Sequence, residues 1–267
     1  MLYHIMIYYS LVSSYVVHSK LSRKRYRMKT FVISLKNSPR RERVKTLLGE
    51  TNLKYQFFDA ISTKSSIFHM HNRANPTKTF WRKGFILKDT EIACFASHYL
   101  LWQRCIALDE PIVIFEDNFE LIEGAVLHTE NAFSHINKYG YIKLSTTENI
   151  NKPPIFHKIE DIDDLVGIGY YNQETAGTTA YIISPKVAKS LIDGASEFID
   201  PVDNYMEKPW LHGVQTFAVF PNVFYRANIP SEIGKRKDKS NRFILARISK
   251  EIYRTYELLK RKLTWHK

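Results

Sequence analysis

Short apolar runs, each followed by a longer stretch with helical spacing, recur along this chain. Thr30–Leu35 (TFVISL) is apolar and β-branched, which predicts a buried strand. Ser38-Pro39 supplies an N-cap and a proline at the first helical position, and predicts a basic helix over Arg40–Leu48. A second strand is predicted at Tyr55–Phe58, ending in Asp59-Ala60. Residues 62–84 are polar and basic with scattered aromatics and read as a loop. Asp89 or Thr90 caps a helix running to about Leu108, with Ile92, Phe95, Ala96, Tyr99, Leu100, Trp102 and Ile106 as its apolar positions. Pro111–Phe115 (PIVIF) is a strongly apolar strand that stops at Glu116-Asp117-Asn118. A helix, a strand at Tyr141–Leu144, an irregular segment, a strand at Thr179–Ser184 and a helix at Pro185–Leu191 follow. Strands alternating with helices predict an α/β fold with a largely parallel sheet. No internal repeat, GxGxxG or P-loop pattern occurs, so the usual dinucleotide and NTPase fingerprints are missing.

Composition changes this picture little. The chain has 267 residues, 44% hydrophobic and 25% charged, which excludes wholesale disorder and gives enough length for a sizeable core. The net charge of +12 is the unusual value, and it suggests a polyanionic partner. Its distribution is more informative than its size. Residues 1–29 carry six basic residues and no acidic one, and residues 235–267 carry twelve basic against three acidic. Residues 30–234 carry 21 basic and 24 acidic, a net of −3. A near-neutral body with two basic ends argues against a nucleic-acid-binding surface, and no recognisable nucleic-acid module is present.

Cys94 and Cys105 fall in one helical pattern, about 16 Å apart along the axis. That is too far for a disulfide and fits free thiols in a reducing compartment. Leu2 to His18 is apolar but broken by His4, Ser10, Ser13 and Ser14, and is shorter than a spanning helix needs. Its basic residues follow the apolar run rather than precede it, unlike a secretory signal. Residues 1–27 are read as an upstream extension before Met28, with a weak membrane anchor as the alternative. Residues 242–262 place apolar side chains mainly on one side and Arg and Lys on the rest. Two readings stay open for this basic C-terminal segment, 235–267: an interfacial amphipathic helix drawn to anionic lipid, or a helix packing its apolar face on the domain.

The acidic cluster carries the chemistry. In an open α/β sheet, ligands bind outside the carboxyl ends of the strands. Glu116, Asp117, Asn118 and Glu120 stand there, after a run with no polar residue. Oxygen ligands in this position suit a hard cation such as Mg²⁺ or Mn²⁺ shared with substrate phosphates; a solvated turn is the equal alternative.

Six blocks from about Met28 to Ile233 resemble glycosyltransferase family 25, which includes lipooligosaccharide galactosyltransferases and related collagen galactosyltransferases. They are Phe31–Leu35 with Ser38-Pro39 and Arg41; Phe57-Phe58-Asp59-Ala60; Glu91–His98 with Trp102; Ile112–Phe115 running into Glu116-Asp117-Asn118; Gly177–Ser184; and Pro201-Val202-Asp203. The resemblance implies a GT-A type nucleotide-sugar-binding domain over residues 28–234. It implies inverting transfer of a hexose, galactose before glucose, from a UDP-sugar to a lipooligosaccharide or other glycan acceptor. A divalent metal, Mn²⁺ or Mg²⁺, is implied as cofactor. The implied location is cytoplasmic, peripheral on the inner membrane, with its anionic surface as a partner and no nucleic acid. A catalytically weakened family member is the alternative, because Asn118 replaces the last acid of the family's Glu-Asp-Asp.

Within that reading Asp117 takes the metal and diphosphate role, with Asn118 or Glu120 assisting. Asp203 is the candidate base or second metal-site carboxylate, or else a helix cap. Ser34 and Leu35 end the first strand, where the nucleoside would sit. Arg41 is a phosphate contact or a surface charge. Asp59, Glu91, His98 and Glu116 complete the donor-binding set. Glu91 and His98 share a helix face about 10 Å apart, and a lone helical His is otherwise structural. Deleting residues 1–27 is expected to leave sugar transfer intact. Complete loss of activity in that deletion would refute the extension reading.

Overall fold

A computed structural model describes residues 28–64, 68–147, 153–230 and 244–265. The readings of residues 1–27 as extension or anchor lie outside the described residues. The first three strands are β1 (Lys29–Ser34), β2 (Tyr55–Asp59) and β3 (Ile112–Glu116). They are followed by β4 (Phe119–Leu121), β5 (Tyr141–Lys143), β6 (Phe156–Asp161), β7 (Gly167–Tyr171), β8 (Ala180–Ile183), β9 (Phe217–Phe220) and β10 (Phe224–Arg226). Eight of them form one sheet in the order β2-β1-β3-β8-β5-β9-β7-β6, and β4 pairs with β10 beside it. Strands β2, β1, β3, β5, β9 and β6 run in one direction, so the sheet is largely parallel by strand direction. The reversed strands β8 and β7 make it a mixed sheet.

Period-two alternation splits the strand residues between two cores. Phe31, Ile33, Ile112, Ile114, Tyr181 and Ile183 face one side. Val32, Val113, Phe115, Ile142 and Ile182 face the other. The second face is covered by α1 (Arg40–Gly49) through Val44 and Leu48, and by α4 (Ala125–Ser134) and α5 (Ile136–Tyr139) through Ala132, Phe133 and Ile136. The first is covered by α3 (Asp89–Leu108), α6 (Pro185–Gly194) and α7 (Val202–Met206). A sheet covered on both faces explains why its central strands read as continuous apolar runs. Helix α3 is anchored by aromatic packing. Phe95 stacks on Phe198 at 4.0 Å between ring centroids and also meets Trp102 and Tyr205.

The structure differs from the sequence expectation in three places. Residues 62–84 are not simply a loop: a 3₁₀ turn (Phe68–Arg73) and α2 (Pro76–Lys83) occur there. Asn75 caps α2 by accepting from Lys78 N, Pro76 opens it, and Gly84 closes it at a φ of 73°. These end signals were present in a segment whose weak apolar pattern hid them. The segment read as irregular contains the β6–β7 hairpin, closed by Asp163, which accepts from Asn131 and from the backbone N–H of Leu165 and Val166.

At the C-terminal helix, the third, the structure overturns one of the two open readings, the apolar face packed on the domain. Helix α9 (Ile244–Thr264) packs on α2 and on α8 (Pro209–His212), but not by its apolar face. Ala246 is its buried residue, and ion pairs and hydrogen bonds join the rest of its inner side to the body. Glu257 bonds Lys83 at 2.9 Å and also Lys208. Both lysines bond Asp200, at 3.0 and 2.7 Å. Lys208 and Asp200 are buried and Lys83 and Glu257 partly so, and the two positive and two negative charges offset one another. Arg261 pairs with Glu174, and Tyr253 lies under Arg82. Ile244, Leu245, Ile248, Ile252, Leu259 and Leu263 are left exposed. Ala246 and Tyr253 therefore do not belong to the outward apolar stripe. Among the described residues, no helix is long and apolar enough to cross a membrane.

Phe95→Ala is expected to cost about 3–5 kcal/mol, because it opens a cavity beneath a stacked ring. Urea denaturation followed by circular dichroism measures it. A loss below about 1 kcal/mol would mean that this aromatic cluster does not hold the helix on the sheet.

Candidate functional site

The carboxyl ends of β1, β2 and β3 open onto a cavity of about 440 Å³. Its floor is formed by Ser34 and Leu35 after β1 and by Glu116, Asp117 and Asn118 after β3. Helix α3 contributes Glu91, Cys94, Ser97 and His98, and the turn before β8 contributes Gly177, Thr178 and Thr179. Asp203 and Asn204 come from α7, and Arg226 from the end of β10. The placement follows from burial. Ile112 to Phe115 have no exposed surface, so the first polar residues after them emerge at the strand end.

Asp117 is held at two points. Its Oδ2 accepts from Ser34 Oγ at 2.7 Å, and its Oδ1 accepts from Arg40 Nη1 at 2.9 Å. A serine on β1 and an arginine on the first turn of α1 thereby fix a carboxylate carried by β3. Charge-assisted bonds of this kind hold the group's orientation as well as its charge. Asn118 turns its amide N–H toward Glu116 Oε2 at 3.0 Å. Its side-chain oxygen is buried and makes no hydrogen bond. The loop is tied from behind by Ala227 N, which donates to the Asn118 carbonyl at 2.6 Å.

Glu116 receives hydrogen bonds from Thr178 Oγ1 and Asn118, and His98 Nε2 lies 3.4 Å from its Oε1. Burial alone would raise its pKa, but His98, Thr178 and Asn118 outweigh this and hold it below the ordinary carboxylate value. His98 is fully buried, with Nδ1 2.9 Å from Tyr181 Oη, which also accepts from Trp102 Nε1 at 3.1 Å. A polar chain thus runs from the core to the cavity wall. Burial, then the charges of Glu116, Asp203 and Glu91, push the Cys94 thiol well above its usual pKa. On the far wall, Ser97 Oγ accepts from Ile61 N at 2.9 Å and fixes the loop after β2 against α3.

Of the residues singled out from the sequence, Ser34, Leu35, Glu91, His98, Glu116, Asp117, Asn118 and Asp203 line this cavity together. Three do not. Glu120 lies on β4, opposite Tyr225 of β10, and pairs with Arg43 at 3.3 Å on the exposed surface. It cannot assist Asp117, because β4 carries its side chain away from the cavity. Arg41 bonds the Ser34 carbonyl at 2.9 Å and Asp59 at 2.5 Å, and lies 4.7 Å over the Phe57 ring. Arg41 and Asp59 are therefore a clamp joining the ends of β1 and β2 rather than parts of the cavity lining. Asp203 is not a side-chain cap: it sits in the first turn of α7, whose N-cap is Pro201, and its Oδ1 accepts from Asn204 N.

The sequence reading missed Arg40, Arg226, Thr178 and Asn204. Arg40 and Arg41 are adjacent, so only the phase of α1 decides which guanidinium reaches Asp117. Arg226 ends a three-residue strand too short to predict. A cavity with two arginines, four carboxylates and a cluster of hydroxyls suits a ligand that combines phosphate with sugar hydroxyl groups.

The chain is 31% identical over 171 residues to the lipooligosaccharide biosynthesis protein lic2B of Haemophilus influenzae, covering 60% of this chain and 61% of that protein. It is 27% identical over 209 residues to the lacto-N-neotetraose biosynthesis glycosyltransferase LgtB of Neisseria gonorrhoeae, covering 67% and 66%. It is also 27% identical over 213 residues to the inactive glycosyltransferase 25 family member 3 of Mus musculus, covering 72% of this chain but 35% of the mouse protein. The chain thus spans between about a third and two thirds of the length of these relatives. Residues 28–206 match the family model described as glycosyltransferase family 25 (LPS biosynthesis protein), and the chain belongs to that family.

Proposed function

We propose that this chain is an inverting glycosyltransferase with a GT-A type fold. It moves a hexose, galactose in the first instance, from a UDP-sugar to a lipooligosaccharide or related glycan acceptor. The observation that carries this reading is Asp117, a buried carboxylate fixed between Ser34 and Arg40 at the strand end of the cavity, in a member of family 25. Ser34 and Leu35 border the side proposed for the nucleoside. Arg40 and Arg226 are the cationic groups proposed to meet the diphosphate.

In the proposed reaction the acceptor hydroxyl oxygen forms a bond to the anomeric carbon as the bond from that carbon to the diphosphate oxygen breaks. The nucleoside diphosphate leaves with the electron pair, and Asp203 takes the hydroxyl proton. Glu116, kept ionised by His98, Thr178 and Asn118, orients Asn118 and so shapes the floor beneath the donor.

The residues fit a hard divalent cation. Asn118 Oδ1 is a buried acceptor without a partner, and the Asp117 carboxylate keeps acceptor capacity beyond its bonds to Ser34 and Arg40. Asp117 and Asn118 would hold Mn²⁺ or Mg²⁺, which when bound neutralises charge on the leaving diphosphate. An amide in place of a carboxylate supplies an oxygen without a charge, so weaker metal binding is the expected consequence.

The transfer assay uses purified protein, Mn²⁺ and a panel of UDP-sugars with lipooligosaccharide acceptor. Asp117→Ala is expected to lower transfer by about 10²-fold or more, and Asn118→Asp to keep or raise it. Full transfer by Asp117→Ala would overturn the assignment. The mouse relative's name gives a second reading its weight: calorimetric UDP-sugar binding with no transfer would identify a binding protein that does not catalyse.

The partner proposed for α9 is an anionic membrane, with a peripheral location on its cytoplasmic face. The exposed apolar stripe Ile244, Ile248, Ile252, Leu259 and Leu263 supports this, beside Arg247, Lys250, Arg254 and Lys262. Ile248→Asp combined with Ile252→Asp is expected to abolish co-flotation with phosphatidylglycerol vesicles while leaving transfer to a soluble acceptor unchanged. Undiminished flotation would remove the proposal.

A further inference from the structure

One cluster in the cavity wall has ligand atoms of a kind that sugar-nucleotide binding does not need. Cys94 Sγ, a ring nitrogen of His98 and a carboxylate oxygen of Glu116 all lie within 4.8 Å of one another. Cys94 and His98 are four residues apart on α3, so helical geometry places both on the face turned toward the end of β3. The geometry points to a binding site for a borderline-soft divalent cation, Zn²⁺ foremost, ligated by Cys94 Sγ, His98 Nε2 and Glu116. It goes beyond the transfer reading and does not depend on it.

A second observation comes from His98 itself. Its ring has no exposed surface, and its Nε2 makes no hydrogen bond while facing Glu116 Oε1 at 3.4 Å. A buried ring nitrogen without a hydrogen-bond partner carries a desolvation cost that ligation would offset. The 3.4 Å separation also matches the nitrogen-to-oxygen edge of a tetrahedral site with bonds of about 2.0–2.2 Å. Cys94 Sγ lies within 4.8 Å of both other ligand atoms.

The surrounding shell is already suitable. His98 Nδ1 faces Tyr181 Oη at 2.9 Å, and a phenolic oxygen can donate or accept. With the metal bound, the imidazole proton would reside on Nδ1, pointing at Tyr181; a proton on Nε2 facing Glu116 would pass to solvent and leave the Nε2 lone pair for the metal. Trp102 Nε1 donates to the same Tyr181 oxygen and fixes its position. This is the outer-shell bond that orients a metal-binding histidine. Glu116 keeps a second oxygen for Asn118.

The donor set separates this ion from the one proposed at Asp117. Thiolate and imidazole favour Zn²⁺, whereas carboxylate and amide oxygens favour Mg²⁺ or Mn²⁺. On binding, sulfur forms the metal bond and the thiol proton passes to solvent. Three protein ligands leave a fourth position open to the cavity, since Cys94, His98 and Glu116 all line it.

Cobalt(II) titrated into the full chain after chelator treatment tests the site, because a cobalt–thiolate bond produces a near-ultraviolet charge-transfer band. The sequence has two cysteines, and Cys105 is fully buried in the core between α3 and the sheet, so the source of the band can be assigned. The band is expected at one equivalent, to be bleached by Zn²⁺ and to vanish in Cys94→Ser. Its absence in the wild type, or its survival in Cys94→Ser, would overturn the proposal. Should Cys94→Ser fold poorly, peptide mass spectrometry of the wild type gives an independent reading. Zn²⁺ should slow alkylation of Cys94, and an unchanged rate would count against the site. None of these signals needs a sugar donor or transfer, so their failure is distinct from failure of the glycosyltransferase reading.

Discussion

The burial of β3 is the constraint on which the site depends. Ile112, Val113, Ile114 and Phe115 have no exposed surface, because β1 and β8 flank the strand and helices cover both of its faces. A strand fixed this firmly cannot slide, since a shift of one residue would exchange its two faces. The residues directly after it are therefore set to within a side chain's reach. Asp117 then needs only two short bonds, to Ser34 and Arg40, to be oriented. The cavity is the gap left where β1, β2 and β3 end together and α3 rises beside them.

Polar groups inside the fold serve this arrangement at two depths. Close to the cavity, Trp102, Tyr181, His98 and Glu116 form a chain that reaches from a fully apolar core to the floor of the site. A buried network of this kind is costly when incomplete and orienting when its members are satisfied. Its last link, His98 Nε2 to Glu116 Oε1, is a 3.4 Å contact that falls short of a hydrogen bond. Farther out, Lys83 of α2, Asp200 just before α7, Lys208 between α7 and α8, and Glu257 of α9 pair with one another. Removing any one of them would leave charge buried without compensation. That cluster turns the polar side of α9 inward and its apolar stripe outward.

Much of the fold was legible because it rests on local patterns. TFVISL and PIVIF are short continuous apolar runs, and the long Asp89–Leu108 helix carries a helical spacing, so each points to one element type. Resemblance added the residues that share one cavity, from Ser34 to Asp203. What stayed hidden depended on neighbours distant in sequence. Glu120 reads as one more acid beside Asp117, yet pairing of β4 with β10 turns it away. Arg40 and Arg41 look equivalent, yet one bonds Asp117 and the other clamps Asp59.

The sequence by itself determined the alternation of strand and helix, the position of the acidic cluster after a buried strand, and the concentration of positive charge at the ends. Those features depend on neighbours within a few residues. Tertiary structure alone decided which carboxylates converge, which arginine serves them, and which face of the C-terminal helix meets the body. The physical reason is that each of those outcomes is set by helix phase, strand pairing or buried charge compensation between segments tens of residues apart, and no local pattern encodes them.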